Sequence, residues 1–195
     1  MFNCVGVPYR ELFPSSRSLF MYRDVEKVVK SVYRASMITP LAHLIFEFGK
    51  LSSYISRMMI DAMGLNGSDY CVRIYNNLVP GVIFSAVITT MYLDSYRRGS
   101  NVRAVRYEDL VARPLDMCRT VLEFCHLPVS LAELAVKAFE VDSQRNSILR
   151  KSVLGRIKEP KMTPQIKEKL NELLKEYGMP PIGESCILEG TLTCC

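Results

Sequence analysis

The segment Ser18-Leu19-Phe20-Met21-Tyr22-Arg23-Asp24-Val25-Glu26-Lys27-Val28-Val29 decides how the rest of the chain is read. Its first five residues are an apolar run bounded by Arg17 and Arg23, the pattern of a buried strand in a parallel sheet. Asp24 follows as a favourable N-cap. Val25, Val28, Val29 and Val32 then recur at helical spacing, opposite Glu26, Lys27, Lys30 and Arg34. Strand therefore gives way to helix within two residues, and Thr39-Pro40 ends that helix.

Such a junction is suited to an anion, because the free backbone N–H groups and the dipole at a helix start both face the ligand. Arg23 adds a forked, charge-assisted donor. Ser31, two turns along, reaches the same anion only if the ligand lies along the helix. The competing reading pairs Arg23 with a carboxylate, Glu108 or Asp109.

Downstream, residues 41–63 read as a second helix and residues 64–69 (GLNGSD) as an exposed loop. Residues 74–93 carry no charge, which is the nominal length of a membrane span. Pro80-Gly81 interrupts them, and Asn76, Asn77, Ser85, Thr89 and Thr90 are polar, so a buried helix over 81–96 is expected rather than a span. A basic turn at 97–100 leads into a second strand over 102–107, where apolar and basic residues alternate. Helices follow over 114–125 and 131–139, then a polar, basic loop over 142–151. Thr163 caps a final helix with Pro164 at its first position, and Gly178 ends it.

A chain of 195 residues is long enough for one domain with a real core, since folding at this size buries roughly 70% of the unfolded surface. With 49% hydrophobic and 23% charged residues the composition is globular. The net charge of +5 suits an anionic ligand, but is too small and too evenly spread to imply nucleic acid. Seven cysteines form no C-x-x-C pair and no Cys/His cluster of zinc spacing, so no metal centre is expected. Cys118 and Cys125 read as small apolar packing residues. His43 sits among apolar residues and His126 follows a helix end; both read as structural. Residues 1–14 contain only a short apolar stretch with Arg10 and Glu11, and no leader or anchor is expected there.

A second constellation lies at Arg106-Tyr107-Glu108-Asp109-Leu110, where a strand ends before a Pro-started helix. A tyrosine there offers a ring and a hydroxyl at the mouth of the sheet, where ligands of open α/β folds bind. Taken alone, it is equally a structural tyrosine beside a solvated acidic turn.

Together the two constellations resemble the sulfotransferases that use phosphoadenosine phosphosulfate. In that family a strand ending in Arg-Asp or Arg-Asn enters a helix with a Ser eight residues after the Arg; Arg23 and Ser31 keep that spacing. RYEDLVARPLDMCRTVLEFCHLP, residues 106–128, is similar to the family's Arg-Tyr-Glu-Asp-Leu block, proline and helix. Arg145-Asn146-Ser147 and the Arg-Asp form are closer to the carbohydrate-type Golgi enzymes than to the cytosolic branch, and the compartment stays open between the two.

The resemblance implies an α/β fold: a P-loop NTPase-like, three-layer parallel sheet with helices, incomplete at the N-terminus because only two strands are legible. It implies a partial sulfotransferase domain over 1–185, followed by an irregular Cys-containing tail over 186–195. It implies 3′-phosphoadenosine 5′-phosphosulfate as co-substrate, with Arg23 and Ser31 on the 3′-phosphate and Tyr107 near the adenine. Arg145, Ser147, Arg150 and Lys151 would belong to a basic loop over the nucleotide. The acceptor would be a hydroxyl, that of a glycan among the candidates.

Against this, the family's Gly- and Lys-containing donor loop and a catalytic base are not found, and Phe48-Gly49-Lys50 lacks the earlier glycine of a P-loop. Catalytic residues are therefore unassigned. A catalytically inactive module that binds nucleotide or glycan is the alternative, and a generic nucleotide domain such as a kinase relative is the next. Asn66-Gly67-Ser68 is both a glycosylation acceptor pattern and an ordinary turn.

Overall fold

Strand β1, Ser18–Tyr22, and helix α1, Val25–Ile38, form where the sequence pattern puts them. The protein is described by a computed structural model over residues 15–38, 78–140 and 151–194. Asp24 caps α1 as expected: its Oδ1 accepts from the Lys27 N–H at 3.2 Å, and its carbonyl accepts from the Val28 N–H at 3.0 Å. Helix α2, Val79–Arg97, contains the expected apolar helix and starts slightly earlier, with Pro80 in its first turn, where a missing N–H costs nothing.

Strand β2, Val102–Arg106, ends one residue short of expectation, because Tyr107 opens a helix, α3, Tyr107–Ala112. Helix α4, Pro114–Phe124, follows directly. It ends on His126, a left-handed residue at φ 56°, with the Leu127 N–H donating back to the Leu122 carbonyl at 2.8 Å. That is the Schellman arrangement, and it gives His126 a structural role. The helix expected over 131–139 is split into a 3₁₀ turn Val129–Leu131, helix α5 Ala132–Lys137 and a 3₁₀ turn Ala138–Glu140. After the short α6, Lys151–Leu154, comes α7, Pro164–Glu176, capped by Thr163 and closed at Gly178, whose φ is 64°.

β1 and β2 pair in parallel, with Tyr22 opposite Arg106. One face of this small sheet packs on α2: the rings of Phe20 and Tyr92 stack at 4.7 Å, and Ala104 and Leu188 are buried beside them. On the other face Val105 meets Leu110, Met117 and Cys118 of α3 and α4. A separate core joins α1, α2 and α7 through Val29, Leu78, Val82, Leu170 and Leu174. Gly81 permits the close crossing of α1 and α2, since a Cβ there would lie 2.7 Å from the Cα of Val29.

The expected three-layer, P-loop-like parallel sheet is not what forms. The described residues are mostly helical, and among them the sheet is open and two-stranded. Two physical reasons are visible. First, β1 leaves Leu19 and Met21 exposed, so α3 and α4, which pack on Val105 of β2, do not extend over β1. Second, the far edge of β2 is taken by the C-terminal tail: the Ala104 N–H donates to the Gly190 carbonyl at 3.1 Å, and the Leu192 N–H donates to the Ala104 carbonyl at 2.8 Å.

Residues 186–194 form no helix or strand, yet they are part of the core. The Tyr92 hydroxyl donates to the Glu189 carbonyl at 2.6 Å, the Tyr22 hydroxyl lies 3.1 Å from the Thr191 hydroxyl, and Leu188 is buried between the tyrosines. Cys118 is buried among apolar residues and Cys125 is half-buried, both as free thiols. Among the described residues no helix is long and apolar enough to cross a membrane, and residues 79–93 of the uncharged stretch lie in the core helix α2.

Candidate functional site

Parallel pairing of Tyr22 with Arg106 carries the residues that follow each strand to the same end of the sheet. Arg23 and Asp24 thereby meet Tyr107 and Glu108, although 84 positions separate the two segments. The Arg23 guanidinium lies 4.8 Å from the centroid of the Tyr107 ring, within cation–π range. Its side chain is 42% exposed, so it is not walled into an internal ion pair.

Glu108 is the centre of the cluster. Its Oε1 accepts from the Lys27 ammonium at 3.1 Å and from the Asp24 backbone N–H, at the start of α1, at 3.4 Å; the Arg23 Nε stands 3.9 Å away. Its Oε2 lies 3.8 Å from the Arg106 Nε, an ion pair too long for a hydrogen bond, and that buried oxygen has no hydrogen-bond partner among the described residues. Arg106 also faces Asp109 at 4.0 Å. Burial pushes the Glu108 carboxyl up, but the hydrogen bonds from Lys27, from its own backbone N–H and from Asp24 outweigh burial and hold it below the usual carboxylate range.

Ser31 is half-buried on α1, one turn beyond Lys27 and seven residues from Asp24, about 10 Å along the helix axis. An anion that touched both Arg23 and Ser31 would have to lie along the helix, over Lys27. Arg145, Ser147 and Arg150 lie outside the described residues, as do His43, Asn66-Gly67-Ser68 and Phe48-Gly49-Lys50. Lys151 is the first residue of α6.

Behind the cluster, Tyr22, Arg23, Asp24, Arg106 and Cys186 line a cavity of about 30 Å³, room for one water and not for a nucleotide. A nucleotide at this end of the sheet would therefore bind on the open side, against the exposed faces of Arg23, Lys27 and Tyr107. The wider groove, along α7 at Lys167, Asn171 and Lys175, contains none of the expected site residues.

Two participants carry no binding role in the sequence: Lys27 belongs to the polar face of α1, and Glu108 to the acidic turn beside Tyr107 and to the rival ion pair with Arg23. The signal that finds them is the strand register: once Tyr22 is opposite Arg106, residues 23–24 must adjoin 107–108, and Lys27 sits one turn into the capped helix. Among the described residues no group of three His, Cys, Asp or Glu side chains could hold a metal ion. Comparisons with known protein families, with curated proteins and with solved structures find no match to this chain.

Proposed function

We propose that this chain binds 3′-phosphoadenosine 5′-phosphosulfate at the end of the β1–β2 sheet and transfers its sulfuryl group to an acceptor hydroxyl, with a carbohydrate as the acceptor class. The observation that carries the reading is the stacking of Arg23 on Tyr107 at the carboxyl ends of two parallel strands, beside the capped start of α1. That is where ligands of open parallel sheets bind, and where a helix start favours a phosphate.

In this reading Arg23 and Lys27 neutralise the 3′-phosphate, and Ser31 contacts the same nucleotide along α1. The ring of Tyr107 flanks the adenine, and Arg145, Ser147, Arg150 and Lys151 supply the basic loop that the resemblance implies. The reaction breaks the bond between sulfur and the bridging oxygen of the donor and forms a bond between sulfur and the acceptor oxygen. The acceptor's proton passes to a base, and adenosine 3′,5′-bisphosphate leaves. Most of the rate in such transfers comes from alignment and from neutralising the leaving phosphate.

Calorimetry with adenosine 3′,5′-bisphosphate tests the binding. Arg23→Ala should lose about 2 kcal/mol of affinity, the scale of one charged hydrogen bond. Equal affinity for the variant and the wild type removes Arg23 from the site, and equal affinity for ATP and the bisphosphate points to a generic nucleotide domain. A module that binds the nucleotide without turnover is the second reading. The sequence favours it, because neither the Gly- and Lys-containing donor loop nor a catalytic base is found in the chain. Radiolabelled sulfate transfer to mixed glycans and phenols separates the two: affinity with no transfer establishes the inactive module.

A further inference from the structure

We infer that Glu108 is an intramolecular competitor for the anion at this site, holding Arg23 and Lys27 until an incoming phosphate displaces it. The inference rests on the nucleotide reading above and adds the element that sets its affinity.

Three features of the cluster lead there. The first is position: the Glu108 Oε1 sits where an anion at the start of α1 would sit, accepting the Asp24 N–H and the Lys27 ammonium. The second is asymmetry. Lys27 and Arg23 are 51% and 42% exposed and accessible to a guest, whereas Arg106 is 21% exposed and stays beside Glu108. The third is spare capacity. The Glu108 Oε2 has no hydrogen-bond partner among the described residues, and the Arg106 Nε is 3.8 Å away. A shift of about 1 Å would bring that pair within hydrogen-bonding distance. Glu108 can thus exchange Lys27 for Arg106 without becoming an unpaired buried charge, and the exposed pair of cations passes to the phosphate.

Charge fixes the direction of the effect. Arg23, Lys27 and Arg106 are balanced by Glu108, Asp24 and Asp109, so the cluster is formally neutral when Glu108 is ionised. Glu108→Gln leaves one net positive charge and a side chain of the same size.

The test is calorimetric titration of the full chain and its E108Q variant with adenosine 3′,5′-bisphosphate at one ionic strength. E108Q should bind about five- to tenfold more tightly, the scale of one charge at 4 Å in water. Equal or weaker binding by a folded E108Q, with the wild type still binding, overturns the competitor role and leaves the nucleotide reading intact. Absence of binding to both proteins removes the nucleotide reading and the inference with it.

A second measurement needs no substitution: carbon-detected NMR titration of the Glu108 carboxyl in the wild-type protein, with and without bound bisphosphate. The carboxyl should titrate at higher pH with the ligand bound, because the phosphate adds negative charge beside it while Arg106 takes the place of Lys27 as its cationic partner. An unmoved titration, with binding established, overturns the proposal.

Discussion

The Arg23 guanidinium lies over the Tyr107 ring, 4.8 Å from its centroid, and the residues immediately before them, Tyr22 and Arg106, are register partners in a parallel sheet. The strand pairing thus positions the stack, and the ring restricts a side chain that would otherwise sample many rotamers. A cation held this way approaches a phosphate with less entropy to lose.

Replacement of the ring should therefore weaken phosphate binding without removing it. Tyr107→Ala is expected to lower affinity for adenosine 3′,5′-bisphosphate about threefold, the value of an exposed cation–π contact, and Tyr107→Phe should retain it. Calorimetry on the two variants checks this. Equal loss in both would assign the effect to the hydroxyl.

The tail should behave as part of the core. Leu188 is buried between the tyrosines that hold the tail, so Leu188→Ala should cost about 2 kcal/mol of folding stability, the low end of buried Leu truncations. Urea denaturation followed by circular dichroism measures it. An unchanged midpoint would mean that the tail docks without stabilising the sheet.

One part of the acid sensitivity should come from Glu26. Its carboxylate is hydrogen-bonded by the ammonium of Lys167 and that of Lys30, each at 2.9 Å, and Lys30 also faces Glu159. Those two hydrogen bonds, Lys167 first, outweigh burial and hold the Glu26 carboxyl below its ordinary value of 4.5. Because the folded value is lower than the unfolded one, this contribution is complete above about pH 4.5 and is lost as pH falls through the folded value. Glu26→Gln should flatten that part of the stability profile. Thermal melts between neutral pH and pH 3 decide it, and a profile as steep as the wild type's would place the acid sensitivity elsewhere.

Much of the local structure could be read directly from the chain. The Asp24 and Thr163 caps, the turn of Gly178 and the apolar spacing of α1, α2 and α4 depend on neighbours within a turn or two, and so they are written in consecutive residues. Tyr107 departs from the pattern by one position: alternation predicts a strand through it, while its backbone begins α3 and presents its ring to Arg23.

The sequence by itself determined β1, α1, α2, β2, α4 and α7 to within a few residues, and it singled out Arg23 and Tyr107 in two separate constellations. Only the tertiary structure decided how many strands the described sheet has, that residues 186–194 close its far edge, and that Glu108 gathers Arg23, Lys27 and Arg106. The physical reason is range. Helix periodicity and capping are set by residues a few positions apart, whereas the extent of a sheet and the partners of a charge are set by which distant segments compete for one row of backbone donors and one carboxylate.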